Sequence, residues 1–348
     1  MKGGTAINLF LQDLPRVSVD IDLTYLPLKP LQEALEEIHE CLRLLKEEII
    51  KQIPDAQVNE KNIEKYLTKL FVSTRDAVIK IEPNLVFRGY IYPPQALDLS
   101  PKAQEHFQAF VNINTMSAAD LYGSKICAAL DRQHPRDLFD VKLLMDSQGI
   151  PPEIRRAFVV YLAGHPRPMS ELLSPRIVDI EQTYNNHFIG MVSDEVSLDD
   201  LRDIQRVLSE LIVQELDADE KEFLLSMKRG EHDWECLVFS VRRDGSINRE
   251  PSPFSDWIVL SGYRDIAGTT EVNSGNSPDS PKSRGVPEDP DIVSVITVIV
   301  ARDRLVDGGS KVTPGNSPDR PKPGCSPEDT GFPDPIIIIV TWDNRIQR

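Results

Sequence analysis

Asp20 and Asp22 stand two residues apart in "RVSVDIDLTYLP", where residues 18–26 alternate as a strand does. Residues two apart on a strand share a face, so both carboxylates point one way while Val19, Ile21 and Leu23 point toward a core. Like charges side by side repel unless a cation lies between them, and an oxygen-rich pair suits Mg²⁺ or Mn²⁺. A solvated strand face has the same appearance, so the neighbouring motifs decide. Gly3-Gly4-Thr5 comes shortly before and opens a helical run, "AINLFLQ". Glycines ahead of a helix let backbone N–H groups approach a phosphate closely, though an ordinary turn is the plainer reading of two glycines alone.

Glu82 in "VIKIEP" is a candidate third carboxylate. Lys80 and Glu82 share one strand face and Ile79 and Ile81 the other, and Pro83 is expected to end regular pairing. An edge-strand Lys/Glu pair facing water is the competing reading. A fourth stretch is "GSKICAALDRQHPRDLFDVKLL". Lys125, Ala128 and Arg132 share a helical face there, with Ile126, Ala129 and Leu130 turned toward another. Beyond the His134-Pro135 break, Asp137 and Asp140 are helical neighbours, and Arg136 is placed to pair with Asp140. Singly, each has a structural explanation: Asp137 complements a helix dipole and Lys125 can be solvated. Together, cations and carboxylates at these spacings suit a polyphosphate site.

These groups need elements to hold them. The spacing predicts a long helix from Pro30, with Leu31, Leu42, Leu45 and Ile49 among its apolar positions, then strands at 67–73 and within 77–92. A helix over 117–133 opens on "SAAD", and Pro135 starts the next, to about Ser147. Further helices are expected at 151–163, 173–190 and 197–228, the last opening on the capping-box-like "SLDD". Lys61, Lys65 and Lys69 fall at helical spacing and would form a solvated or RNA-facing stripe.

The net charge of −16 argues against unaided electrostatic binding to nucleic acid or an anionic membrane, leaving room only for a local basic groove. No apolar run suits a bilayer span and no signal peptide opens the chain. Cys41, Cys127, Cys236 and Cys325 are scattered without a C-x-x-C pair, so neither zinc nor a disulfide framework is indicated and a reducing cytoplasm is the default. Near Gly230 the composition shifts to Pro-Asp, Ser-Pro and Gly-Ser dipeptides. Residues 275–304 are echoed by 315–345, each a proline-rich segment followed by a β-branched run. The runs "IVSVITVIV" and "PIIIIVTW" are β-prone and are expected to pair with each other as strands within a marginal or disordered appendage.

The stretches "KGGTAINLF", "RVSVDIDLTYLP", "VIKIEPNLVFRG" and "ADLYGSKICAALDRQHPRDLFDVKLL" resemble, in order and spacing, the AbiEii/AbiGii toxin family of the minimal nucleotidyltransferase superfamily. "FLLSMKRGEHDW" is similar to the family's closing segment, so the resemblance covers about residues 2–234. It implies an α/β (α+β) fold: a mixed-sheet nucleotidyltransferase core over 1–100, a helical domain over 101–230, and the repeat-bearing tail over 231–348. It further implies Mg²⁺- or Mn²⁺-dependent transfer of a nucleotide from an NTP, with RNA such as tRNA as acceptor, and a separately encoded antitoxin. Gly3, Gly4 and Thr5 would hold phosphates, Asp20, Asp22 and Glu82 the metal. Lys125 and Arg132 would contact the triphosphate, with Asp137 and Asp140 in the family's helical motif. In that family a helix and a strand precede the glycine turn. Only Met1 and Lys2 do so here, so a truncated start and a weakened sheet are expected. A catalytically degenerate binding protein and a small-molecule, antibiotic-type nucleotidyltransferase are the rival readings.

Overall fold

The computed structural model describes residues 1–237 except Val19, Asp76, Ser193 and Asp194, plus the backbone of four short strands beyond them. Helix α1 (Gly3–Ala6) runs without a break into a π-helical turn, Ile7–Leu11. Strand β1 (Ile21–Thr24) follows, then the long helix α2 (Leu31–Gln52). Ala34, Ile38, Leu42, Leu45 and Ile49 form the buried stripe of α2, at the three-and-four spacing that keeps side chains on one face. Leu31, expected among them, is 49% exposed because it stands at the helix's first position.

Strands β2 (Gln57–Ile63), β3 (Tyr66–Ser73) and β4 (Val78–Asn84) complete a sheet of order β1-β4-β3-β2. Only the β1–β4 pair is parallel, so the sheet is mixed. Its apolar face, with Ile21, Leu70, Val72, Ile79 and Ile81, packs in one core with the α2 stripe. Residues 57–63 lacked an apolar alternation, and β2 is almost wholly exposed on both faces. The lysine stripe is corrected accordingly. Lys61 and Lys69 are cross-strand partners in the β2–β3 hairpin, and Lys65 lies in its turn, so they share no helix. Pro83 ends pairing on one side only: β3 pairs with β4 as far as Ile81, whereas β1 continues to Asn84.

Strand β5 (Gln95–Asp98), helix α3 (Pro101–Phe107) and strand β6 (Asn112–Thr115) come next, β5 and β6 forming a separate antiparallel pair. Helices α4 (Ala118–Arg132), α5 (Pro135–Ser147) and α6 (Pro152–Ala163) stand where the capping and proline signals put them. Gly123 is fixed by packing: a Cβ there would lie 2.7 Å from the Phe158 backbone nitrogen, so only glycine lets α6 come this close to α4. Residues 173–190 are not one helix. They hold the end of α7 (Met169–Leu173) and α8 (Glu181–His187), separated by a segment containing Ser174-Pro175. Residues 197–228 likewise divide into α9 (Leu198–Glu215) and α10 (Ala218–Arg229), each opened by a full capping box, Ser197/Asp200 and Asp217/Glu220. The helices enclose the largest apolar cluster, which continues past residue 230: Leu237 is buried and Trp234 packs against Phe223 at 5.0 Å.

Beyond it, β7 (Ser240–Val241) pairs with β8 (Ile247–Asn248). Strand β9 (Val295–Ala301) pairs antiparallel with β10 (Ile337–Asp343), Ile337 opposite Ala301. The two β-branched runs of the repeat therefore pair with each other, while its proline-rich segments lie outside the described residues. Among the described residues no helix is long and apolar enough to cross a membrane.

Candidate active site

Met1 and Lys2 stitch the two sheets together. The Lys2 N–H donates to the Asp22 carbonyl at 2.8 Å, the Met116 N–H donates to the Met1 carbonyl at 2.9 Å, and the Met1 amine donates to the Asn114 carbonyl at 2.8 Å. The Met1 side chain packs against all three apolar clusters. The chain then turns at Gly3, whose φ of +77° favours glycine. A Cβ at Gly3 would lie 2.2 Å from Asp22 Oδ2, and one at Gly4 would lie 2.6 Å from Arg16 Nη2. The glycine pair is thus required by the Asp22 and Arg16 side chains, which press onto its backbone. Thr5 is a strut: its hydroxyl donates to the Asp20 carbonyl and shares a 2.8 Å hydrogen bond with Ser18. Only its backbone remains for a phosphate.

Burial pushes the Asp22 carboxyl up, and the neighbouring Lys2, Lys80 and Lys125 ammoniums offset that only in part. Burial also pushes the Lys2 ammonium down, against the pull of Asp22. Asp22 is the register partner of Glu82 across the parallel β1–β4 pair. Glu82 is engaged by two lysines, Lys69 and, at 3.1 Å, Lys80, whose ammonium is also 3.5 Å from Asp20. No group of three or more acidic, histidine or cysteine side chains among the described residues converges as a ready metal cage. The Lys80 ammonium instead stands where the carboxylates of two strands meet a cation. Asp20 and Asp22 supply hard oxygen donors that fit Mg²⁺ or Mn²⁺. Glu82 does not fit as a third ligand while both lysines hold it.

The second half of the site is buried in the helices. Lys125 Nζ lies 2.9 Å from Asp137 Oδ1 and 3.1 Å from Asp140 Oδ2. Arg16, in the approach to β1, donates from Nε and Nη2 to the two Asp140 oxygens, each at 2.7 Å. Arg132 closes the chain of charges on Asp137, donating from Nη2 to Oδ1 at 2.9 Å and from Nε to Oδ2, while its own side chain is 61% exposed. Burial alone would raise the Asp137 carboxyl, but Lys125 and Arg132 hold it well below the usual carboxylate range. Burial disfavours the charge on Lys125, yet Asp137 and Asp140 raise its ammonium above the ordinary value. The expected Arg136–Asp140 pair is absent, because Arg16 and Lys125 already take both Asp140 oxygens. Asp22 lies within electrostatic reach of Lys2, Lys125 and Arg132, which joins the two halves into one site.

Arg16 and Lys2 were not singled out from the sequence, and Lys69 was read only as part of a helical stripe, not as a partner of Glu82. Arg16 meets its partner 124 residues away, and no local pattern announces such a contact. Asp120 was legible only as a capping residue. Its buried carboxylate accepts the N–H groups of Ile91 and Tyr92 at 3.0 and 2.9 Å and the Tyr161 hydroxyl at 2.9 Å, which fixes α4 against the 84–92 loop.

The family model described as "Nucleotidyl transferase AbiEii toxin, Type IV TA system" matches residues 1–242. Among solved structures the chain is similar to MenT4, a nucleotidyltransferase toxin from Mycobacterium tuberculosis H37Rv, at 18% identity and a TM-score of 0.48, over 74% of this chain and 83% of that one. No curated protein matches. The family brings with it a nucleotide substrate and a separate antitoxin. With its glycine turn, carboxylate pair and helical motif inside the matched residues, the chain belongs to the AbiEii nucleotidyltransferase toxin family and is a nucleotidyltransferase.

Proposed function

We propose that this nucleotidyltransferase moves a nucleotidyl group from an NTP to a hydroxyl of an RNA acceptor, tRNA being the first candidate. The observation that carries the reading is the Asp22 carboxylate pressed onto the Gly3 backbone, so that carboxylate and glycine turn face one substrate. The N–H groups that open α1 have no acceptor within the helix and can serve phosphate oxygens. Asp20 and Asp22 would hold the divalent ion, which supplies Lewis-acid stabilisation of the α-phosphate when bound. The acceptor oxygen attacks the α-phosphorus, the bond to the β-phosphate's bridging oxygen breaks, and pyrophosphate departs with that electron pair. The hydroxyl proton leaves toward solvent at Asp20, the half-exposed member of the pair. Lys125, with the exposed guanidinium of Arg132, opposes charge building on the departing pyrophosphate. Asp137 and Asp140 orient those cations from behind and act as positioning residues.

The test is Mg²⁺-dependent incorporation of label from each of the four NTPs into bulk tRNA, with an aminoglycoside as the competing acceptor. Label in tRNA supports the reading. Label in the antibiotic alone, or in neither while the NTP still binds, would replace it with one of the rivals.

A further inference from the structure

A cavity of about 490 Å³ lies beside the site, lined by His134, Arg136, Asn186, His187, Ile189 and Met191. That volume falls in the ordinary range for ligand sites, about 300–1,000 Å³. Among the described residues no acidic side chain lines it. In a chain of net charge −16, a wall with one guanidinium, two imidazoles and an amide is a local reversal of sign. Arg136 has no carboxylate partner among the described residues, whereas Arg16, Arg132 and Arg155 are each tied to at least one. The cavity opens at the N-terminus of the 13-residue helix α5, where the helix dipole adds positive potential. His134 caps that helix: its Nδ1 accepts the Arg136 N–H at 3.1 Å, which leaves Nε2 as the nitrogen that carries a proton and donates. Ile189, 58% exposed, and Met191 give the same cavity an apolar ledge.

Two links fix its place relative to the reacting groups. Arg136 is the residue before Asp137, the anchor of Lys125 and Arg132. Across the cavity, the Met191 carbonyl accepts the Val17 N–H at 2.7 Å, so the far wall is tied to the segment leading into Asp20 and Asp22. The cavity therefore adjoins the site, yet it contains neither the carboxylates nor the glycine turn.

We propose that this cavity binds a phosphodiester of the RNA acceptor, with Arg136 on the phosphate, His134, Asn186 and His187 as further hydrogen-bonding groups, and Ile189 and Met191 against the adjoining ribose or base. This deepens the acceptor reading above and rests on it. A guanidinium matches two phosphate oxygens at once, and each phosphate neutralised adds to the salt dependence of binding. An apolar ledge beside the phosphate contacts suits a nucleotide better than a free inorganic anion.

The experiment measures binding of fluorescently labelled bulk tRNA by anisotropy across a salt series, on the full chain without NTP. It compares the wild type with Arg136→Gln and with the exposed-residue variant His187→Gln. NTP affinity is measured in parallel with a non-hydrolysable analogue, and melting curves check the fold. The expected result is a roughly tenfold loss of RNA affinity for Arg136→Gln and a salt slope shallower by about 0.7, with NTP affinity unchanged. For His187→Gln, a surface change, a loss of a few-fold is expected with normal melting. Folded variants that bind RNA as the wild type does overturn the proposal while leaving the acceptor reading intact. Equal losses of NTP and RNA affinity also overturn it, because the cavity then belongs to the nucleotide. Retained RNA binding with lost binding of polyglutamate would make it an acidic-polypeptide site instead. A wild type that binds no RNA at all removes the acceptor reading itself.

Discussion

The strand half and the helix half of the site use the same residue types in opposite ways. In the strand half, Asp20, just before β1, and Lys80 and Glu82 on β4 are between a quarter and two-fifths exposed, and Lys80 is shared between two carboxylates. Between α4 and α5, the Lys125, Asp137 and Asp140 side chains are at most 9% exposed, and Arg16 and Arg132 bring further ion pairs. A buried, saturated network has no vacancy for a ligand and holds its members in one geometry. A half-exposed pair linked by a flexible lysine can exchange that lysine for another cation. In the proposed reading the buried Asp137 and Asp140 position, and the partly exposed Asp20 faces the substrate.

The comparison breaks most visibly at Asp140. Asp140→Ala strands Arg16 and Lys125 in the interior without one of their counter-charges, and losing one side of a buried pair costs about 3–5 kcal/mol. Chemical denaturation should show that loss. Asp20→Asn, on the exposed side, should stay within about 1 kcal/mol of the wild type. Equal costs would mean that burial does not separate the two halves.

Next in size is the glycine turn. Gly3→Ala forces a Cβ into a left-handed backbone and onto Asp22 Oδ2, so we expect a loss of about 1–3 kcal/mol. Nucleotide transfer should fall with it, because Asp22 must move. A Gly4→Ala control also displaces a side chain, Arg16, but without the left-handed backbone.

Titration sharpens the contrast, because the Asp137 and Asp22 carboxyls shift in opposite directions. The Asp137 carboxyl is depressed in the folded protein, so its contribution to stability is present above the unfolded carboxylate value, about 3.9, and is lost as the pH falls below it. The Asp22 carboxyl is raised, so its ionised form opposes folding once the pH exceeds the unfolded value. Asp22→Asn should therefore melt at or above the wild-type temperature at neutral pH, with the advantage vanishing in acid. Melting curves between pH 3 and about 7.5 test both signs.

Much of this was legible in the sequence, for identifiable reasons. The α4–α5 junction was readable because Ser117 and His134-Pro135 punctuate it locally, and β4 because Ile79 and Ile81 alternate with Lys80 and Glu82. The exposed strand β2 was not, since it offers no apolar period, and neither was the Arg16–Asp140 pair, which depends on the whole tertiary fold. The candidate site residues stand in recognisable motifs, but how deeply each is buried is set by the tertiary fold, which spacing does not encode.

A smaller effect is expected at Lys80. Its ammonium neutralises Asp20 and Glu82, and half-exposed pairs of this kind are weak. Lys80→Met should lower the Mg²⁺ concentration for half-maximal transfer by a few-fold and leave stability nearly unchanged. A higher Mg²⁺ requirement would show that Lys80 supports the ion's site.

The central claim is that Asp20 and Asp22 carry the chemistry, while Asp137 and Asp140 position the cations Lys125 and Arg132 from behind. Labelled nucleotide transfer by Asp20→Asn and Asp22→Asn, measured beside their melting curves, tests it most directly. The account predicts that transfer falls by at least about a hundredfold while both variants stay folded, since losing charge stabilisation at a reacting phosphate costs roughly 3 kcal/mol or more. Folded variants that transfer as fast as the wild type would contradict it.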